Sequence, residues 1–415
     1  MMRLVGELCL YSALVFAFLQ ALLPLFGQWR NNIYALAAAR PLALGQFFCV
    51  TAAYLILTIA FAMNDFSIAY VAQNSHSSLP LMYRLAGVWG AHEGSILLWI
   101  FILNCWTFIF SFLQQRSVLF PLVIAILGII SFSFLLFLVL TSDPFLAASS
   151  TQAAMDLNPL LQDPGLIIHP PMLYIGYVGF SVAFAITQAA LLTGRKDTHW
   201  AQIARQFALA AWCFLTLGIT LGSWWAYRVL CWGGFWFWDP VENASLLPWL
   251  AGTALIHVLV LADKRGMAQN WACLLAIVTF ALSILGTFLV RSGVLVSAHT
   301  FASDPARGVF LLLLLAALST PALIIYAARH SLLTGTSGSA SWLSRESGLL
   351  LNSLLLFAAM CTILLGTIYP LILDALHVGT ISVGAPYFNT VMAPFVYVIL
   401  ISMALVIVCR WQQET

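Results

Sequence analysis

The chain has 415 residues, of which 62% are hydrophobic and only 7% charged, with 16 Lys and Arg against 14 Asp and Glu. Soluble domains run at about half apolar and a quarter charged, so a globular soluble fold is excluded. The net charge of +2 argues against a nucleic-acid partner too, because phosphate binding needs a concentrated basic face. What remains is an all-α, polytopic helix bundle in a lipid bilayer.

A helix crossing the hydrocarbon layer needs about 20 apolar residues. Eleven stretches qualify, at about 5–26, 42–63, 93–113, 118–140, 172–193, 207–227, 246–262, 272–290, 308–328, 349–372 and 388–409. The first is too long for a removed signal peptide, lacks a small-residue cleavage site, and reads as an anchor. Of the 8 cysteines, all but Cys231 fall in apolar runs and none forms a CxxC pair. A dithiol centre or a disulfide scaffold is not expected.

Basic residues orient the spans. Arg30, Arg40, Arg116, Arg195, Lys196, Arg205, Lys264, Arg265, Arg329, Arg345 and Arg410 fall on alternate connections and at the C-terminus, leaving Arg3, Arg84, Arg228, Arg291 and Arg307 opposite. By the positive-inside rule the N-terminus is outside and the C-terminus inside. The whole chain reads as a single membrane domain. Its outer loops of interest lie at about 141–171, 223–249 and 291–307.

The middle one, SWWAYRVLCWGGFWFWDPVENASLLPWL, holds six of the 15 tryptophans, Trp224, Trp225, Trp232, Trp236, Trp238 and Trp249. An interfacial belt accounts for Trp at helix ends. It does not account for Trp232, Trp236 and Trp238 crowded around Gly233-Gly234. A flat aromatic shelf suits a large planar apolar ligand, by stacking and area burial. D-P-V-E reads as a helix start, with Asp239 as N-cap, Pro240 at the first position and Glu242 closing a capping box. On that reading Asp239 and Glu242 hold the shelf in place without touching its ligand.

Histidines separate by side. His76, His92, His169, His299 and His377 are outer, His199 and His330 inner, and His257 lies within the seventh span. His169 precedes Pro170-Pro171; the first proline pushes it toward an extended conformation and the second opens a helix. A lone loop histidine is ordinarily just solvated. Two of them, His169 and His299, on segments flanking an aromatic shelf, could supply both axial ligands of an iron porphyrin. Arg228, Arg291 and Arg307 could meet its propionates, although a snorkelling helix-end residue explains Arg291 equally well. His257 is deep in the membrane, where ionisable groups are costly. It is either a neutral histidine bonded to a neighbouring helix or a ligand of a second, intramembrane haem.

The motif WGGFWFWDPVENASLLPW resembles the tryptophan-rich "WWD" signature of membrane haem-handling proteins. Its continuation after the Asp is similar to the CcmF and NrfE family of cytochrome c-type biogenesis proteins. WGAHEGSILLW (89–99), LNPLLQDPGLIIHPPMLYIGYVGFS (157–181), GTFLVRSGVLVSAHTFASDPARG (286–308) and SRESGLL (344–350) extend the resemblance over essentially the whole chain.

The resemblance implies a cytochrome c haem lyase component of the bacterial inner membrane, with its active face periplasmic. A CcmE-like haem chaperone would deliver substrate haem to the outer WWD site. CcmH- and CcmI-like partners would bring the apocytochrome c, whose CxxCH thiols take up the vinyl groups. By the same resemblance His169 and His299 match the axial ligands of the delivered haem. His257 matches a ligand of a resident haem b, which reduces the delivered haem with electrons from quinol. In that family the second ligand of the resident haem, and a large periplasmic domain, lie beyond the point matching the end of this chain. A fragment, a split protein and a shortened relative all fit that departure. Three other readings of the residues stand beside this one: a transporter of haem or another amphiphile, a quinol-linked haem oxidoreductase with no ligation role, for which His257 alone is an incomplete ligand set, and a non-catalytic assembly subunit completed by a second chain. No side chain is needed as a nucleophile on the lyase reading.

Overall fold

The computed structural model describes residues 1–149, 155–195, 197–230, 233–293, 305–333, 341, 344–379 and 381–411. Among them fourteen α-helices carry the fold: α1 (Met2–Arg30), α2 (Ile33–Ala37), α3 (Ala39–Met63), α4 (Ala69–Asn74), α5 (Leu81–Gly87), α6 (His92–Leu113), α7 (Phe120–Thr141), α8 (Pro164–Thr193), α9 (His199–Val229), α10 (Pro240–Arg265), α11 (Gln269–Arg291), α12 (Pro305–Arg329), α13 (Arg345–Ala375) and α14 (Ala385–Val408). Eleven segments are long and apolar enough to cross a membrane, one for each expected span. Strand pairing among the described residues is limited to an isolated antiparallel bridge between Ile68 and Ala147.

The helices overrun their apolar cores. α10 begins at Pro240 and α9 at His199, some six to eight residues before the stretches that hydropathy alone marks out. Capping, rather than hydrocarbon thickness, sets these ends. Asn31 and Asn64, both left-handed, close α1 and α3, and Gly266, at φ 64, closes α10, because a residue past the last turn must leave αR to satisfy the final carbonyls.

The chain forms two compact units, one of residues 1–185 with 220–233 and the other of residues 186–219 with 234–415. In the first, α1 packs on α3 and α7, and α6 on α3 and α7. Its interior carries polar groups at helix contacts. Gln20 donates to the Ile124 carbonyl at 2.9 Å, while Gln46 and Asn104 both donate to the Ser131 hydroxyl. Such bonds replace hydrophobic driving force, which lipid cannot supply between helices. Gly128 makes room for them: a Cβ there would lie 2.9 Å from the Ala21 nitrogen.

In the second unit α10 packs on α11 and α13, and α13 on α14. Trp271 of α11 donates to Ser353 of α13 at 3.1 Å. The buried carboxylate of Glu346 meets Arg265 at 3.1 Å.

Candidate functional site

The aromatic segment begins the second unit. Asp239 accepts from the Val241 N–H at 2.9 Å, and Glu242 accepts from the Asp239 N–H at 3.1 Å. This is the capping box read from D-P-V-E. Glu242 reaches further than expected, accepting also from the Phe237 N–H at 3.0 Å. One carboxylate therefore fixes two backbone groups of the tryptophan loop.

Trp238 sits between them at φ +59, a conformation that bulky side chains rarely adopt. Its indole stacks on Phe388 of α14 (centroids 5.1 Å apart, planes at 15°) and donates to Asn389 Oδ1 at 2.8 Å. Trp236 meets it edge-on at 5.9 Å. The Trp238 carbonyl accepts from Asn243, which also donates to Thr367 of α13. Trp232 lies outside the described residues.

His169 is in the first unit, and here the expectation is corrected. It is not extended ahead of a helix. α8 starts at Pro164 and runs through His169, Pro170 and Pro171. The start signal is a second Asp-Pro pair: Asp163 accepts from the Gly165 N–H at 2.7 Å, satisfying an orphan donor of the first turn. Proline biases its predecessor away from helix without forbidding it. The start of α8 then lies along the end of α9. A Cβ at Gly222 would be 2.5 Å from His169 Cε1, and a Cβ at Gly165 would be 2.8 Å from Trp225 Cδ1. Arg228 closes the contact, pairing with Asp163 at 3.3 Å and lying over the Trp224 ring at 4.7 Å.

The other expected basic residues are placed differently. Arg291 is 1% exposed at the end of α11, which removes the snorkelling alternative. Arg307 is half-buried in the first turn of α12. His299 lies outside the described residues.

His257 is on α10, 17 residues after Pro240 and eight before Arg265, so about 12 Å from the C-terminal end of the helix at about 1.5 Å per residue. Trp249, Thr253 and His257 share a helix face at four-residue spacing. Above the histidine on that face, Trp249 donates to Thr216 and Trp212 to Thr253, both at 2.8 Å. The two indoles stack at 5.6 Å. His257 Nδ1 is buried and has no hydrogen-bond partner. A buried imidazole nitrogen left without a partner is costly, and a histidine in that state is compatible with holding a haem as well as with a neutral side chain bonded through its other nitrogen.

Residues 89–295 match the family model described as cytochrome C assembly protein. The chain is 53% identical over 411 residues to the cytochrome c-type biogenesis protein CcmF of Pseudomonas aeruginosa, covering 98% of this chain and 62% of that protein. The chain belongs to the CcmF and NrfE family of cytochrome c-type biogenesis proteins. The Escherichia coli CcmF is 52% identical over 94% of the chain and 61% of its own length. NrfE of Haemophilus influenzae is 43% identical over 98% of the chain and 64% of its own length. A solved cytochrome c heme lyase CcmF matches the fold with a TM-score of 0.83 at 32% identity, covering all of this chain and 63% of that one. The chain thus spans a little under two thirds of the length of these relatives. The match to the family model ends at residue 295, short of His299.

Sequence reasoning missed Asp163, Gly165 and Gly222 on the first unit, and Phe388 and Asn389 on the second. Asp163-Pro164 carries the same helix-start signal as Asp239-Pro240 and could have been found. Nothing in the sequence marks Asn389.

Proposed function

We propose that the chain is a haem-handling component of a cytochrome c haem lyase, oriented with its N-terminus and aromatic loop on the periplasmic side of a bacterial inner membrane. It takes haem from a CcmE-like chaperone and presents it to the CxxCH of an apocytochrome c brought by CcmH- and CcmI-like partners. His169 and His299 serve as axial ligands of that substrate haem. Trp232, Trp236 and Trp238 give it an apolar surface, and Arg228, Arg291 and Arg307 provide basic partners for its propionates.

The observation that carries this reading is the seating of the tryptophan loop, with Trp238 at φ +59 and Glu242 bonded to two of its backbone N–H groups. A lipid-interface belt needs no strained backbone, whereas strain of this kind clusters at ligand sites.

The chemistry belongs to the substrates. Each cysteine S–H adds across a vinyl double bond, sulfur to the α-carbon and hydrogen to the β-carbon, with nothing lost. Holding vinyl and thiol together removes an entropic barrier that reaches about 7–11 kcal/mol in well-oriented systems. His257 would hold a resident haem b from one side. That group supplies one-electron redox chemistry when bound, and quinol is the electron source the family likeness implies.

The test is a visible spectrum with haem quantitation on the chain purified in detergent. The panel comprises wild type, His257→Ala and the double variant His169→Ala/His299→Ala. A b-type spectrum lost only in His257→Ala supports the inner site. Normal cytochrome c maturation in both His169→Ala and His299→Ala would sink the outer one. Maturation assayed with no longer homologue present separates a complete lyase from an assembly subunit.

A further inference from the structure

Trp238 is the described tryptophan whose backbone sits at positive φ. A non-glycine residue in such a conformation is strained and persists only where its surroundings over-determine it. Here the surroundings are identifiable, and they come from three helices of one unit. From α10, Asn243 Nδ2 donates to the Trp238 carbonyl and Glu242 accepts from the next backbone N–H. From α14, Phe388 lies parallel to the indole and Asn389 Oδ1 accepts the indole N–H. From α13, Gly366 and Thr367 complete the seat. Thr367 takes the second Asn243 proton, and a Cβ at Gly366 would lie 2.8 Å from Phe388 Cε1.

These contacts divide into two kinds. Those of Asn243 and Glu242 fix the main chain and would hold any residue at 238. Those of Phe388 and Asn389 act on the indole itself. Phe388 is 1% exposed and held by the notch at Gly366, so it is a rigid surface that sets the indole plane. Asn389 then fixes rotation within that plane, since an indole has a single N–H and so a single orientation that reaches the acceptor.

We propose that Asn389, on its Phe388 platform, is a positioning residue for the aromatic loop. It acts through the indole of Trp238 to present that ring in one orientation to a planar apolar ligand. This rests on the reading of the loop as a haem shelf. A fixed ring binds a planar ligand without losing rotamer freedom at the moment of binding.

The experiment uses the full chain in detergent with hemin as the probe. The Trp238 contribution to the near-ultraviolet circular dichroism is first defined as wild type minus Trp238→Phe. In Asn389→Leu that contribution should collapse and the hemin dissociation constant should rise by about two- to tenfold, the range for one hydrogen bond. Asn389→Asp keeps the acceptor and should restore both. In the Trp238→Phe background, which has no N–H to donate, Asn389→Leu should add nothing.

An unchanged Trp238 signal and hemin affinity in Asn389→Leu would overturn the proposal. So would an effect that simply adds to that of Trp238→Phe, since it would mean a general structural role. Hemin binding that ignores Trp238→Phe, or no hemin binding by wild type, would instead overturn the haem shelf and the positioning role with it. The Trp238 signal would still report whether the seat itself holds.

Discussion

The imidazole of His169 fills the space above Gly222, so that a Cβ on α9 at that point would lie 2.5 Å from Cε1, 2.8 Å from Nδ1 and 3.1 Å from Nε2. All three ring atoms are met at once, which means that the ring lies across the glycine. Two positions on, Trp224 carries the Arg228 guanidinium, and one helical turn on, Trp225 covers Gly165. The ends of α8 and α9 are thus matched by small residues opposite large ones.

Gly222→Ala should therefore displace His169 and little else, because the group in the way is a side chain that can swing. Steady-state amounts of the protein should stay near wild type while haem attachment to c-type cytochromes falls to the level of His169→Ala. Haem staining of periplasmic cytochromes against an immunoblot of the chain checks this. Full attachment in Gly222→Ala would mean that the observed ring position does not matter to function.

Asp163 and Arg228 form an ion pair, but the two should not be equivalent on mutation. Arg228 is 42% exposed, and pairs at that exposure contribute about 0–1 kcal/mol. Asp163 additionally caps α8 through the Gly165 N–H, and losing a cap costs about 0.5–2 kcal/mol. Asp163→Ala should lower the thermal midpoint in detergent more than Arg228→Gln does. Equal shifts would show that the cap contributes nothing.

Hydropathy and charge were enough to read eleven spans, since each is long and apolar and neighbouring loops alternate in basic content. The capping box at Asp239 and Glu242 was legible because its signals are local, within four residues. Pro170 biases His169 toward extended backbone, but the start signal at Asp163-Pro164, six residues earlier, carries the helix through it. For Arg291 the sequence leaves a propionate partner and a snorkelling helix end equally open, and only tertiary packing places it inside. Phe388 and Asn389 sit some 150 residues from Trp238, a distance over which no periodicity carries information. The same is true of the glycines at 222 and 366, whose roles are defined by the neighbouring helix.

Glu242 separates two explanations of its own presence. As a cap alone, its loss would shorten α10 by a turn and cost about 0.5–2 kcal/mol. Its second bond, from the Phe237 N–H, ties helix start to tryptophan loop. Glu242→Ala should therefore abolish haem attachment while leaving the protein folded and inserted. Glu242→Gln, which keeps an acceptor oxygen, should retain most of it. Paired maturation and thermal-stability assays check both. If Ala and Gln lose attachment equally, the carboxylate charge matters more than loop geometry.

Asp143, just beyond α7, offers a pH test outside the membrane. Burial raises its carboxyl above the ordinary range; the Phe145 N–H bond opposes this, Glu7 adds to it, and Arg3 opposes it. The folded chain then holds this proton more tightly than the unfolded chain does. Its contribution is most favourable below the unfolded value, about pH 4, and declines as pH rises through the folded value. Asp143→Asn keeps an oxygen for the Phe145 N–H and removes the charge. The variant should melt at a higher temperature than wild type near about pH 7, with the difference closing toward about pH 3. Thermal midpoints across that range decide the matter. A variant less stable at neutral pH would mean that the attraction to Arg3 outweighs the cost of burying the carboxylate beside Glu7.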